Sequence, residues 1–194
     1  MDKRRETRRF ELRRPVVLVV LGVVLVDQAS KLWALNHLDS ARRKSLFGLV
    51  DLTMYRNSGA SHGLLAGYPD LLLPLEIIGV AVAFYLANRS ESRFLALALG
   101  LIAGGGLGNF TDRILHSHGF GTSGRVVDWI SFPGSRTVFN LADVAIQIGV
   151  VAVVVAMVIS FFKPDRQPTS NVLQSSTNRS GFRWLRPFRA EESA

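Results

Sequence analysis

Asp128 and Asp143 bound much of the stretch VVDWISFPGSRTVFNLAD, residues 126–143, and the second of them opens a long run of Val, Ile, Ala and Leu. A carboxylate at the mouth of an apolar run is costly, roughly 2.5–3.5 kcal/mol at a helix centre on insertion scales and less near an interface. Such groups persist for function or for pairing. Two carboxylates brought together cannot both ionise cheaply, so one keeps its proton and the pair works as base and acid in turn. Peptide hydrolysis needs that combination: a base to activate water and an acid for the departing amine. Asp128 on a loop and Asp143 at a helix start can meet, because the fourteen residues between them form a returning loop. The expectation is a shared proton and peptide cleavage at a membrane surface. Taken alone, two aspartates leave open that one of them only solvates a loop.

Other polar residues stand where apolar ones are expected. Asp27 and Lys31 are four apart, share a helical face and can pair at the end of a span. Self-neutralisation is the bland reading of that pair, and contact with substrate is the alternative. Asn57 lies in Arg56-Asn57-Ser58-Gly59-Ala60, a turn signal. Asn109, Asp112 and Arg113 cluster within about one helical turn, either as an interhelical hydrogen-bond network or as the wall of a polar cavity. Asn140 precedes Asp143 by three positions and can face the same side, and Gln147 adds a polar position to that face. Glu76 sits in an apolar run with no evident role.

The elements that must position these groups are apolar helices. The chain has 194 residues, 48% of them hydrophobic, and a mean hydropathy of +0.23. Four stretches stand out: about Pro15–Leu35, Leu71–Ala87, Phe94–Leu115 and Leu141–Phe162. Each is near the ~17–25 residues that a helix needs to cross the hydrocarbon of a bilayer. The fold class expected is a membrane protein, mainly α, with four transmembrane helices and a small extracytoplasmic β-containing part. Residues 15–162 would form the four-span domain, flanked by a basic tail at 1–14 and a basic, disordered tail at 163–194.

Most of the +8 net charge sits in those tails. That argues against a nucleic-acid-binding surface, whose basic residues belong on a folded face. It fits cytoplasmic termini under the positive-inside rule, as an even number of spans requires. The first apolar run could pass for a cleavable signal peptide. Asp27-Gln28-Ala29-Ser30-Lys31 replaces a small-residue cleavage site, however, so the first span should be retained. Phe182–Arg186 could touch the inner leaflet. The absence of cysteine excludes a thiol nucleophile.

Between the spans, Leu49–Tyr55 partly alternates, with Val50, Leu52 and Met54 on one side and Asp51, Thr53 and Tyr55 on the other. That is a strand signal. Val126–Phe132 reads as extended and Pro133-Gly134 as a turn. Pro74 is tolerable near a helix start. Gly100, Gly104 and Gly108, each four apart, make a groove suited to close helix packing in lipid. The glycine run is not a phosphate loop, since no Lys-Ser/Thr follows it. His62, His116 and His118 lack a recurrent acid/His helical motif and make a weak metal site.

In order, the chain contains Asp27-Gln28-x-x-Lys31, Asn57-x-Gly59-Ala60, Gly105-x-x-Gly108-Asn109-x-x-Asp112-Arg113, Val126-Val127-Asp128 and Phe139-Asn140-x-Ala142-Asp143. This set resembles the lipoprotein signal peptidases of bacteria (signal peptidase type II), four-span aspartic peptidases of the plasma membrane. The likeness covers about Val16–Phe162 and excludes both tails. It implies removal of the signal peptide from a prolipoprotein, just before the cysteine that carries a diacylglyceryl group. Asp128 and Asp143 match the catalytic dyad, and Asn57, Asn109, Arg113 and Asn140 match polar residues around it. Asp27 and Lys31 match the motif at the end of the first span.

The same resemblance implies no metal or organic cofactor. The expected partners are diacylglyceryl-prolipoproteins and membrane lipids, and the expected state is a monomer in the bacterial inner membrane. One departure is Ser61-His62, where the family usually has a small residue and then an aromatic. Trp129 after Asp128 exchanges one aromatic for another.

The competing class is a small transporter or channel subunit, because intramembrane Asp, Arg and Asn also mark ion paths. Four spans without an evident inverted repeat weaken it. Presenilin-like and prepilin-like aspartic peptidases carry a Gly-x-Gly-Asp signature that is absent here.

Overall fold

The structure is a computed structural model, described for residues 3–59, 68–117 and 124–162. Contacts define one compact unit over Met1–Phe161. The expectations about His62, His118, Phe182–Arg186 and the C-terminal tail fall outside the described residues.

Four helices, α1 (Lys3–His37), α2 (Pro69–Arg89), α3 (Arg93–Leu115) and α4 (Leu141–Phe161), contain segments long and apolar enough to cross a membrane. Between α1 and α2 lie β1 (Lys44–Leu46) and β2 (Val50–Asn57), and between α3 and α4 lie β3 (Val126–Ser131) and β4 (Val138–Phe139). The boundaries stay close to the expected spans except at the N-terminus. There the segment expected as a basic tail at 1–14 is helical instead, so that α1 reaches back to Lys3 and runs through Pro15. Its composition explains this, because Lys, Arg, Glu and Leu are strong helix formers.

Large apolar side chains such as Leu18, Leu25, Val151 and Met157 are exposed on the helix surfaces. Lipid tails are as apolar as they are, so helix association must come from close packing. The small residues supply it. α3 packs against all three other helices, and its glycine stripe faces α1. A Cβ on Gly104 would come within 2.9 Å of Val23 Cβ, and one on Gly108 within 2.7 Å of Asp27 Oδ2. On its other side, a Cβ on Gly105 would meet the Ala142 carbonyl at 2.5 Å. A small core of Val16, Val20, Ala83, Ala87, Ala96, Leu99 and Ala103 fills the space that remains.

The strands form one antiparallel sheet in the order β1-β2-β3-β4. The expected alternation along β2 breaks. Leu52 pairs with Ile130 and Tyr55 with Asp128, so β2 has one residue more than β3 between these pairs. Such a bulge shifts the phase of the strand. Because side chains alternate with period two, a one-residue shift exchanges the faces. Tyr55 and Asn57 therefore join the face of Leu52, Ile130 and Asp128. After β3, the Pro133-Gly134 turn closes with Ser135 N–H donating to the Phe132 carbonyl at 2.9 Å. Gly134 has φ +76°, the left-handed value that a type II turn needs at its third position.

Candidate active site

The polar residues gather at one end of the bundle, where α1 and α3 finish, α2 and α4 begin, and β2 meets β3. Asn140 caps α4. Its side-chain Oδ1 accepts the Asp143 N–H at 2.9 Å, and Asp143 Oδ2 accepts the Asn140 N–H at 3.3 Å. This reciprocal arrangement has the form of a capping box. The three-residue spacing visible in the sequence is thus a helix-start device that also aims the Asp143 carboxylate.

The same Asn140 amide reaches Asp128, with Nδ2 donating to Asp128 Oδ1 at 2.7 Å and to Asn109 Oδ1 at 3.0 Å. Asn109 Nδ2 donates to Asp143 Oδ1 at 2.9 Å. On the other side, Asn57 Nδ2 donates to Asp128 Oδ2 at 2.9 Å, while Asn57 Oδ1 accepts the Gly59 N–H at 2.9 Å. Asn57 is therefore both the turn former its local sequence suggests and a ligand of the aspartate. Asp128 is 1% exposed. Burial, and then the charge of Asp143 beside it, push its carboxyl up to about 7 against the opposing hydrogen bonds from Asn57 and Asn140.

Asp27 and Lys31 stand behind this layer. Lys31 Nζ lies 2.7 Å from Asp27 Oδ2, 3.1 Å from Asp112 Oδ2 and 3.0 Å from Asn109 Oδ1. Lys31 is 2% exposed and Asp27 fully buried. The pair expected at the span's end exists, and its lysine also reaches the Asn109 amide that touches Asp143. Asp27 Oδ1 accepts the Ala142 N–H at 2.9 Å and so ties α1 to the first turn of α4.

Asp112 and Glu76 carry more of the structure than their sequence context indicates. Asp112 accepts the Val127 N–H at 2.9 Å, next to Asp128, and Gln28 Nε2 at 3.0 Å. It thereby links α1, α3 and β3. Glu76 Oε1 accepts Arg113 Nε at 2.8 Å. A lone acid in an apolar span is the sequence signal that marks it. Its partner on another helix could not be read from spacing. Arg113 Nη2 donates to the Gly59 carbonyl at 2.9 Å and Nη1 to the Gly124 carbonyl at 3.2 Å. Trp129, the residue after Asp128, meets the Trp33 ring edge-on at 5.6 Å between centroids. The ring Nδ1 of His116, at the end of α3, lies 2.9 Å from the Asp112 carbonyl.

A cavity of about 240 Å³ is lined by Asn57, Gly59, Glu76, Asn109, Arg113, Val126, Asp128, Asp143, Ile146 and Gln147. A second, of about 470 Å³, shares Asn57, Asp143 and Gln147 with it and adds Phe132, Val138, Phe139 and Val144. Both aspartates thus line one cavity that shares part of its wall with a larger one, whose lining mixes these apolar side chains with Ser135 and Thr137. Among the described residues, no group of three or more His, Cys, Asp and Glu side chains is arranged to hold a metal ion.

The fold and the site define a multi-pass membrane protein with two carboxylates in a cavity at one end of its helix bundle. Residues 19–159 match the family described as signal peptidase (SPase) II. The chain belongs to the signal peptidase II family. It is 37% identical over 156 residues to the lipoprotein signal peptidase of Rhodococcus jostii (strain RHA1), covering 79% of this chain and 77% of that protein. It is 32% identical over 149 residues to the lipoprotein signal peptidase of Streptococcus agalactiae serotype V, covering 74% and 93%. Among solved structures, it is similar to a bacterial membrane enzyme determined by the in meso method at 2.3 Å resolution. That likeness has a TM-score of 0.67 and 27% identity, and covers 78% of this chain and 93% of the other. A second such enzyme, at 1.9 Å resolution, gives a TM-score of 0.62 and 28% identity. These relationships do not favour the transporter reading.

Proposed function

We propose that this protein is a membrane-embedded aspartic endopeptidase that removes the signal peptide from diacylglyceryl-modified prolipoproteins, cutting before the lipidated cysteine. The observation that carries the reading is Asn140, whose single amide bonds to Asp128 and caps Asp143, so that both carboxylates line one cavity. Family membership supplies the substrate class.

In the proposed reaction, Asp128 enters holding the shared proton, in keeping with its raised pKa of about 7. Asp143 serves as the base. Its oxygens already act as acceptors, from Asn109 and from the Asn140 backbone. It takes a proton from water as the water oxygen bonds to the scissile carbonyl carbon, and Asp128 gives its proton to the carbonyl oxygen. The tetrahedral intermediate then collapses. The carbon–nitrogen bond breaks, the departing nitrogen receives the proton that Asp143 took, and the hydroxyl proton returns to Asp128. The products are a free amine on the lipidated cysteine and a carboxyl on the signal peptide. Asn57, Asn109, Arg113 and Asn140 hold the carboxylates and their loops, and Asp27 with Lys31 braces them from behind. The apolar side of the larger cavity, at Phe132, Val138, Phe139 and Val144, takes residues flanking the scissile bond.

The proposed domain is 15–162, with the site at the extracytoplasmic face and both termini in the cytoplasm. The basic tails support this orientation. The enzyme is proposed to work as a monomer at the bacterial inner membrane. The test supplies a diacylglyceryl-modified prolipoprotein to purified protein in detergent and compares wild type with Asp128→Asn and Asp143→Asn. Wild type is expected to release the signal peptide and neither variant to do so. Cleavage by either variant at the wild-type rate would sink the dyad, and equal cleavage of unlipidated substrate would sink the substrate class.

A further inference from the structure

Glu76 belongs to α2, which contributes neither aspartate and none of the motif residues. It nevertheless reaches the cavity that both aspartates line. Its Oε1 takes Arg113 Nε at 2.8 Å, and Arg113 is 2% exposed. A guanidinium is planar and its N–H groups form a rigid fork, so fixing Nε fixes the direction of both Nη groups. Here those groups hold two backbone carbonyls. Nη2 takes Gly59, two residues past Asn57, and Nη1 takes Gly124, two residues before β3 begins. Gly124 N–H in turn donates to the Arg113 carbonyl at 3.0 Å. One side chain thus clamps the feet of the two strands that bring Asn57 against Asp128.

We propose that Glu76 is a positioning residue that orients the Arg113 fork and through it sets the separation of the Asn57 turn and the start of β3. The inference rests on the dyad reading for its catalytic consequence, but its structural consequence can be read without catalysis. An acid inside an apolar span is costly enough to need a function or a partner. A partner that merely neutralised Arg113 could approach any of its nitrogens. Glu76 instead takes Nε and leaves both Nη groups on the two strand feet. α2 thereby gains a role in a site to which the motifs assign it none.

The test measures amide hydrogen exchange over residues 57–59 and 124–128 in nanodiscs, together with cleavage of the lipidated prolipoprotein. Wild type is compared with Glu76→Leu, Glu76→Gln, Arg113→Lys and Glu76→Leu/Arg113→Lys. In Glu76→Leu, exchange in both segments is expected to rise about tenfold. The kcat is expected to fall about tenfold or more while KM stays within about twofold, because displacing a reacting group by about 1 Å can cost about a hundredfold. Glu76→Gln keeps an oxygen for Nε and should recover most of the rate, with exchange raised about threefold. In the Arg113→Lys background, Glu76→Leu should add almost nothing, since residues acting as a unit are not additive.

Unchanged exchange in Glu76→Leu overturns the proposal, as does a full Glu76→Leu effect that persists beside Arg113→Lys. If Glu76→Leu does not fold, Glu76→Gln decides, and unchanged exchange there overturns the proposal equally. If wild type fails to cleave, the peptidase reading falls, and exchange still decides whether Glu76 sets the two segments.

Discussion

Asn140 donates to Asp128 at 2.7 Å with the nitrogen of its side-chain amide and accepts the Asp143 N–H at 2.9 Å with the oxygen. One planar group thus fixes the strand aspartate against the helix aspartate, and it starts α4 as well. The cap explains why that amide cannot swing away. Rotating it would leave the first turn of α4 with an unsatisfied N–H in a buried place, at a cost of about 1–3 kcal/mol.

Replacing Asn140 with Asp separates these duties. The aspartate keeps an oxygen for the cap, but it loses the donor to Asp128 and adds a third carboxylate. Cleavage is expected to fall about 100-fold or more, within the range for losing a positioned donor. The melting temperature near pH 6 should drop by no more than a few degrees. Asn140→Ala should lose the same activity and, in addition, about 1 kcal/mol of stability from the missing cap. Initial rates and thermal unfolding in detergent check both.

The pH profile follows from Asp128. With its carboxyl raised to about 7, the dyad keeps its single proton below that pH and loses it above. Activity should therefore fall as pH rises through about 7. Asn57 opposes the rise by donating to Asp128 Oδ2, so Asn57→Ala should move this alkaline limb to higher pH, beyond lowering the rate. A limb that moves down instead would contradict the assignment.

The same shift bears on stability, with the sign opposite to that of an ion-paired carboxylate. The folded protein holds the Asp128 proton more tightly than the unfolded chain, where a carboxyl titrates near about 4. The stabilisation is complete below about pH 4 and is lost as pH rises toward and through about 7, at roughly 1.4 kcal/mol per pH unit at most. Asp128→Asn does not titrate. It should unfold at a higher temperature than wild type at pH 8, and the advantage should shrink at pH 5.

The bulge in β2 gives a prediction about geometry. Deleting Met54 removes the extra residue, so Leu52 and Tyr55 become two apart and Asn57 keeps the face of Asp128. Cleavage should therefore stay well above that of Asn57→Ala, while helix content by circular dichroism stays unchanged.

Lys31→Met leaves Asp27 and Asp112 buried without their shared cation. Breaking a buried pair in this way costs about 3–5 kcal/mol. Lys31→Met is expected to unfold at markedly lower temperature, and Asp27→Asn/Lys31→Met should recover part of the loss, since it removes one of the stranded charges.

Much of this molecule was legible from composition and motif order. The four spans, the pairing of Asp27 with Lys31, the strand character of residues 50–55 and 126–131, and the Gly100-Gly104-Gly108 packing stripe all appear where local sequence puts them. The alternation along β2 was misleading beyond Leu52, because a bulge leaves no mark in a short run of mixed residues. The helix reaching back to Lys3 was equally hidden, since a basic segment before an apolar run reads as a tail.

A span is a local property: about 20 apolar residues suffice to cross a bilayer, whatever the rest of the chain does. The sequence by itself therefore determined the number of helices, and its motif order marked the residues that gather at their shared end. Tertiary structure alone decided that Asn57 shares a face with Asp128, that Lys31 reaches Asp112 and Asn109 as well as Asp27, and that Glu76 holds Arg113. Each of these depends on strand register or on the rotation of one helix against another. Long-range packing sets those quantities, and the spacing of residues along the chain does not contain them.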